Sequence, residues 1–315
     1  MIVKNQIVYN FIKFFVLLLA MSTVFSQDIP YFSGAKAIEY LEKQCEFGPR
    51  FPGSEGHSKT AEYFQKFLNP LVDELIVMNE TTLHPIKNDT VRLTNIFARF
   101  NPSMENRILL MAHWDTREIA DKDLIIENRI KPIIGANDGA SGIAVLMTIA
   151  EILDENPLEN IGVDLLFVDG EDMGEAGDPS GFGIGTKLFS KKIPRPYPQY
   201  AVCLDMVGDT ELEIPIEWNS YQQAPDVVTK IWAIATSLGF IEFKYLFGSA
   251  VTDDHKVLFD NTGIPAVDII DFQYPNADIN YWHTLQDIPE NCSARSLGIV
   301  GSVIIELIYQ EELQK

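Results

Sequence analysis

An alternation along the chain narrows the fold more than any other feature. Apolar runs recur at residues 107–112 (around ILLMA), 163–169 (VDLLFVD), 201–207 (AVCLDMV) and 265–271 (PAVDIID). Longer segments with helical periodicity separate them, at 140–153, about 184–191, 225–238 and a short one at 253–260. A short apolar run bounded by turn signals fits a strand buried on both faces. Strands of that kind, alternating with helices, predict a mostly parallel sheet covered on both sides. Two further helical segments (35–46 and 54–68) and two strand-like runs (74–83 and 91–100) precede this block, and a helix over 294–313 closes it.

Ligands in such sheets bind beyond the carboxyl ends of the strands. The chain carries chemistry at those places. His113-Trp114-Asp115 follows the run at 107–112, Gly170-Glu171-Asp172 follows that at 163–169, and Asp205-Met206-Val207-Gly208 closes the next. Asn137-Asp138 stands before the helix at 140–153, and Tyr281-Trp282-His283 comes after the last run. Each has an ordinary alternative. Asp138 and Asp253 would serve as helix N-caps. Glu171-Asp172 would suit a solvated turn, and Trp282 would suit core packing. Asp205 ends a core strand, where a buried carboxylate needs a cation or several donors. Taken together, His, Asp, Glu-Asp, Asp and His in this order form a nitrogen and oxygen donor set suited to zinc.

The formal net charge of −21 argues against nucleic-acid binding, because a protein that neutralises phosphates carries an excess of Lys and Arg. A length of 315 residues suits one large α/β domain. The first 26 residues differ from the rest. Lys4 and Lys13 precede the apolar stretch FFVLLLAM at 14–21, which is too short to span a bilayer. They read as a signal peptide cut after Ser26, leaving Gln27 first in an exported chain whose residues 27–315 form a single catalytic domain. No stable membrane insertion is expected after that cut. The three cysteines, Cys45, Cys203 and Cys292, form no metal-type pair, and a Cys45–Cys292 bridge stays open.

The ordered set His113-x-Asp115, Asp138, Glu171-Asp172, Asp205 and His283 resembles the M28 family of zinc aminopeptidases and glutaminyl cyclases. The runs HWDTR, ANDGASG and WHT look most like bacterial-type cyclases. The resemblance extends from Cys45-Glu46-Phe47-Gly48-Pro49-Arg50 to the last helix. It implies a three-layer α/β/α sandwich with a mixed sheet. For a cyclase it implies one zinc on Asp138, Asp172 and His283, with Glu171 as proton carrier and Asp205 paired to Asp253 in a short hydrogen-bonded chain. Trp282 would wall the pocket, and peptides with N-terminal Gln would be the substrates. For an aminopeptidase it implies two zincs, the second on His113, Asp138 and Asp205. Three departures stand out. Many relatives have Glu where this chain has Asp172. The stretch 173–181 lacks a tryptophan found in animal cyclases. Asp268 stands where those enzymes have a His.

Overall fold

The computed structural model describes residues 29–313 apart from Ala176. The signal-peptide segment and Gln27 lie outside the described residues. Helices α1 (Gly34–Glu46) and α2 (Glu55–Leu68) are followed by strands β1 (Glu74–Leu83), β2 (Thr90–Phe100) and β3 (Arg107–His113). Then come α3 (Ser141–Glu155), β4 (Gly162–Val168), α4 (Ile184–Phe189) and β5 (Ala201–Asp205). The chain continues through β6 (Ile214–Ile216), α5 (Trp218–Gln223), α6 (Pro225–Ser237) and β7 (Phe243–Phe247). It ends with α7 (Asp254–Thr262), β8 (Ala266–Ile270) and α8 (Ala294–Leu313).

Six strands form one mixed sheet in the order β1-β2-β4-β3-β5-β8. β4, β3, β5 and β8 run parallel, while β1 and β2 pair antiparallel with each other and β2 with β4. Every residue of β3, β4 and β8 is buried, including Asp164, which is paired with Arg99 and Arg107, and Asp268, which faces His255. One face of the sheet packs Leu109, Met111, Leu166 and Cys203 against Phe189 of α4 and Leu258 of α7. The other face carries α2 and α3: Phe64 meets Phe167 edge-on at 5.1 Å, and a Cβ on Gly142 would lie 2.0 Å from the Leu204 carbonyl oxygen. Glycine at that position therefore lets α3 rest directly on β5.

The layered α/β/α reading holds. Local details differ from the sequence expectations. The strand expected over 201–207 stops at Asp205, because Met206 turns the backbone to φ +50°. The expected helix over 184–191 ends at Phe189. The parallel pair β6–β7 and the helix α5 between them were not anticipated. Cys45, Cys203 and Cys292 are all free thiols, so no bridge joins Cys45 to Cys292.

The connection leaving β3 leads to β4 on one side, and the connection leaving β5 leads on to β8 on the other. The crevice between the carboxyl ends of β3 and β5 is thus the topological switch point of the sheet. His113 ends one of these strands and Asp205 the other.

Candidate active site

The site is assembled at that crevice from five chain segments. His113 Nε2 lies 3.2 Å from Asp138 Oδ1 and 3.2 Å from Asp205 Oδ1. His283 Nε2 lies 3.5 Å from Asp138 Oδ2 and 3.4 Å from Asp172 Oδ1. Two trios therefore converge, Asp138–Asp172–His283 and His113–Asp138–Asp205, each with its donor atoms within 4.8 Å of one another. Asp138 belongs to both. It is no helix cap, since α3 is capped by the backbone of Ala140 without a side-chain bond.

Three anchors hold these segments. Asp115 accepts the backbone N–H of Glu171 at 3.0 Å and that of Asp172 at 3.1 Å, so one buried carboxylate shapes the turn that presents both acids. Asp287 accepts the N–H groups of Asn137 at 2.7 Å and Asp138 at 3.2 Å. The buried Arg50 donates to the carbonyls of Trp114, Ile134 and Gly135, tying the loop before Asp138 to the end of β3. The turn-rich GPRFPG segment supplies that arginine.

His283 is held in a fixed orientation. Its Nδ1 faces Asp121 Oδ1 at 3.2 Å, which leaves Nε2 for Asp138 and Asp172. A carboxylate behind an imidazole fixes its tautomer and raises its basicity toward a metal. Arg117 ties the pieces together, with Nε 2.8 Å from Asp121 and Nη1 2.9 Å from Asp172 Oδ1. His283 itself sits at φ +56°, a strained conformation for a non-glycine residue and one that clusters at functional sites. Trp282 stacks on it with ring centroids 3.8 Å apart.

The donor set fits a divalent cation. Oδ2 of Asp138 and Oδ2 of Asp172 are buried and accept no hydrogen bond. A buried carboxylate oxygen without a donor calls for a positive charge. The local field has the same sense. Burial disfavours a charged imidazole, yet Asp172, Asp121 and Asp138 push His283 up to about 9. Burial also works against ionised Asp172, but His283 and Arg117 hold its carboxyl below the usual range.

Glu171 and Asp253 stand beside the trios. Burial, and then the charge of Asp253, raise the Glu171 carboxyl well above the ordinary carboxylate value, while His113 opposes the shift. Asp253 does cap α7, accepting the N–H of Asp254. The expected Asp205–Asp253 hydrogen bond is not formed among the described residues. Asp205 turns to His113 instead. The acid that approaches Asp253 is Asp268, with Cys203 beside them and donor atoms within 4.8 Å. Asp268 in turn faces His255 Nδ1 at 3.5 Å, and His255 Nε2 faces Glu217 at 3.2 Å. The sequence singled out none of Arg117, Asp121, Glu217 and Asp287 for a role here. Only Arg117 carried a signal, its place at the end of the run HWDTR. Asp287 lies far along the chain from Asn137 and Asp138, and Glu217 lies far from Val251 and His255.

The model of peptidase family M28 matches residues 95–308. Glutaminyl-peptide cyclotransferase of Drosophila melanogaster is 24% identical over 267 residues, covering 76% of this chain and 70% of that protein. The crystal structure of Bacteroides thetaiotaomicron glutaminyl cyclase bound to N-acetylhistamine superposes with a TM-score of 0.85 at 30% identity, over 90% of this chain and 99% of that one. A Zn-dependent exopeptidase from Parabacteroides distasonis gives a TM-score of 0.85 at 30% identity, over 89% of this chain and 99% of its own. Ligand geometry, fold and sequence agree: the chain belongs to peptidase family M28.

Proposed function

We propose that the protein is a zinc-dependent glutaminyl-peptide cyclotransferase, converting an N-terminal Gln to pyroglutamate with release of ammonia. The observation that carries this is the buried Asp138–Asp172–His283 trio, with two carboxylate oxygens free of donors, set beside the buried Glu171. Relatives that share the fold are named glutaminyl cyclases.

Asp138, Asp172 and His283 would hold one zinc, and Asp121 would keep the His283 ring turned toward it. Zinc bound there supplies Lewis acidity toward the γ-carboxamide oxygen of the substrate. The remaining work falls to protein side chains. The substrate's α-amine forms a bond to its own γ-carbonyl carbon, and the bond from that carbon to the amide nitrogen breaks. The reaction is intramolecular, so holding the chain folded back on itself supplies much of the acceleration. Glu171 takes a proton from the attacking amine and returns it to the departing nitrogen as ammonia leaves. Its raised proton affinity suits that alternation. Asp253 and Asp205 orient the leaving nitrogen, and Trp282 walls the pocket that receives the Gln side chain. Residues 1–26 would direct export, to the periplasm or the extracellular space; among the described residues no helix is long and apolar enough to cross a membrane.

A second reading is favoured by the His113–Asp138–Asp205 trio. A second zinc there would make the site that of an M28 aminopeptidase, with Glu171 activating water instead. Assay of the purified protein on Gln-peptides and on aminoacyl substrates, with zinc counted by mass, separates the two. Ammonia release with one zinc supports the cyclase. Release of N-terminal residues with two zincs overturns it.

A further inference from the structure

The connection from β3 to α3 carries a lobe that the proposed chemistry does not use. The Ala120 N–H donates to the Lys131 carbonyl at 2.8 Å, and the Ile133 N–H to the Arg117 carbonyl at 3.4 Å. These bonds close residues 120–131 into a compact Ω-loop. Its outer residues are aliphatic: Leu124 is 92% exposed, Ile125 57%, Ile126 73% and Ile130 82%. A side chain as open as Leu124 projects past its neighbours, so the tip of the lobe is convex. Single exposed apolar residues need no explanation, but four within the seven residues 124–130 form a patch, and such patches mark contact with a protein or a membrane.

The lobe is ordered by its own polar groups. One oxygen of the buried Asp123 accepts the Ile125 N–H at 2.9 Å and the Asn128 side-chain amide at 3.2 Å, and the other accepts the Leu285 N–H at 3.1 Å. Arg129 Nε donates to the Asp123 carbonyl at 2.7 Å, and Ile126–Asn128 form one turn of 3-10 helix. A fixed backbone thus presents the aliphatic side chains to solvent. Cations rim them. Lys122, Arg129 and Lys131 are exposed, and Glu127 is the one exposed acid among residues 122–131. Lys131 Nζ donates to the neutral side chain of Asn128 at 2.9 Å, and Lys122 Nζ lies 5.7 Å over the Trp282 ring, so their charges stay available. The chain as a whole carries −21. An anionic surface therefore repels most of the molecule and attracts this lobe, which sets one orientation.

We propose that the lobe docks on an anionic lipid surface, with Leu124, Ile126 and Ile130 seated among the headgroups and Lys122, Arg129 and Lys131 against lipid phosphates. Such docking is peripheral and reversible, because it buries a few side chains and spans nothing. A convex aliphatic tip needs no complementary pocket in a bilayer, and it lacks the aromatic anchors that protein contacts favour. The lobe is also rooted in the reaction site. The Lys122 N–H donates to the His283 carbonyl at 3.2 Å, and Asp121 stands behind the His283 ring. Leu124 is three residues beyond Asp121, at most about 11 Å of extended chain. Docking holds the site near the lipid, within reach of chain ends displayed there, whichever of the two reactions the site performs.

The test is sedimentation of the purified protein with vesicles of phosphatidylcholine alone and of phosphatidylcholine mixed with phosphatidylglycerol. Each cation brought to an anionic surface strengthens binding about fivefold, so the wild type should bind the mixed vesicles about tenfold or more tightly than the neutral ones. Leu124→Ser/Ile130→Ser should weaken binding to the mixed vesicles by about tenfold or more. Lys131→Gln should weaken it about fivefold. All three positions are on the surface, and an unchanged melting temperature checks that the variants are intact. If the serines lower it, Lys131→Gln, which alters one exposed side chain, decides instead. Equal binding to both kinds of vesicle overturns the proposal, as does a wild type that binds neither. Undiminished binding by an intact double variant, or by Lys131→Gln, also overturns it. So does self-association in the ultracentrifuge that the double variant loses while no vesicle is bound, since a second copy is then the occupant. The vesicle assay reads no turnover, so its outcome is independent of the cyclase reading.

Discussion

Asp115 binds neither zinc nor substrate in this reading, yet replacing it with Asn should damage both functions of the turn it holds. The residue is fully buried, and its two carboxylate oxygens accept the N–H groups of Glu171 and Asp172. Asparagine keeps one acceptor and puts an NH2 group against the other N–H. One hydrogen bond is lost and one buried donor is left facing another. Leaving a buried group unpaired costs roughly 1–3 kcal/mol, and bonds to a charged acceptor lie toward the upper part of that range. A loss of about 2–3 kcal/mol corresponds to a fall of about 3–5 °C in melting temperature for a domain of this size. The turn must also shift, displacing whichever of Glu171 and Asp172 faces the amide. A displacement of ~1 Å at a reacting group costs about 100-fold in rate. Circular dichroism melting, zinc by mass spectrometry and ammonia release from a Gln-peptide measure the three effects. A variant that melts within about 1 °C of wild type and keeps full turnover would show that the Asp115 carboxylate does not hold this turn.

Glu171→Gln keeps the side chain's size and removes the proton carrier. Zinc content should stay near that of wild type while turnover falls about 100- to 10,000-fold; loss of zinc instead would exchange the roles of Glu171 and Asp172. Asp205→Ala should cut activity severely and leave zinc near one equivalent, whereas a drop from two equivalents would favour the aminopeptidase. His283→Ala should lose zinc and activity together, since three protein ligands cannot spare one cheaply; full activity would remove His283 from the site. Glu217 gives a pH signature away from the metal ligands. Burial opposes its charge, but His255, Ser220 and the Val251 N–H hold its carboxyl down from the ordinary 4.5 to about 2. A depressed carboxyl contributes stability that is complete above about pH 4.5 and fades as pH falls toward 2, here on the order of 3 kcal/mol. The melting-temperature gap between wild type and Glu217→Gln should therefore be wide at pH 6 and narrow at pH 3, and a gap that does not change with pH would contradict this.

The central strands and the places where chemistry sits were legible in the sequence, and the reason is local. A strand buried on both faces is mostly apolar, and an acid inside it needs a buried partner, as Asp164 has in Arg99 and Arg107, so most of its polar residues stand at its ends. His113, Asp172 and Asp205 were visible for that reason, and the sheet then brings two of those ends, His113 and Asp205, to 3.2 Å. The small sheet was not legible. β6 is three residues long with Pro215 at its centre, too short to show a period. The N-cap alternatives show the same limit. Asp253 does cap a helix and Asp138 does not, although each precedes one. Side-chain partners were decided only by the tertiary structure. Asp121 lies behind His283 and Asp287 behind Asp138, and Asp253 meets Asp268 while Asp205 turns to His113. Periodicity reports which face of an element is buried, a property of a few neighbouring residues. Which carboxylate meets which imidazole depends on how crossover connections order the strands, and that order is set by packing across the whole sheet.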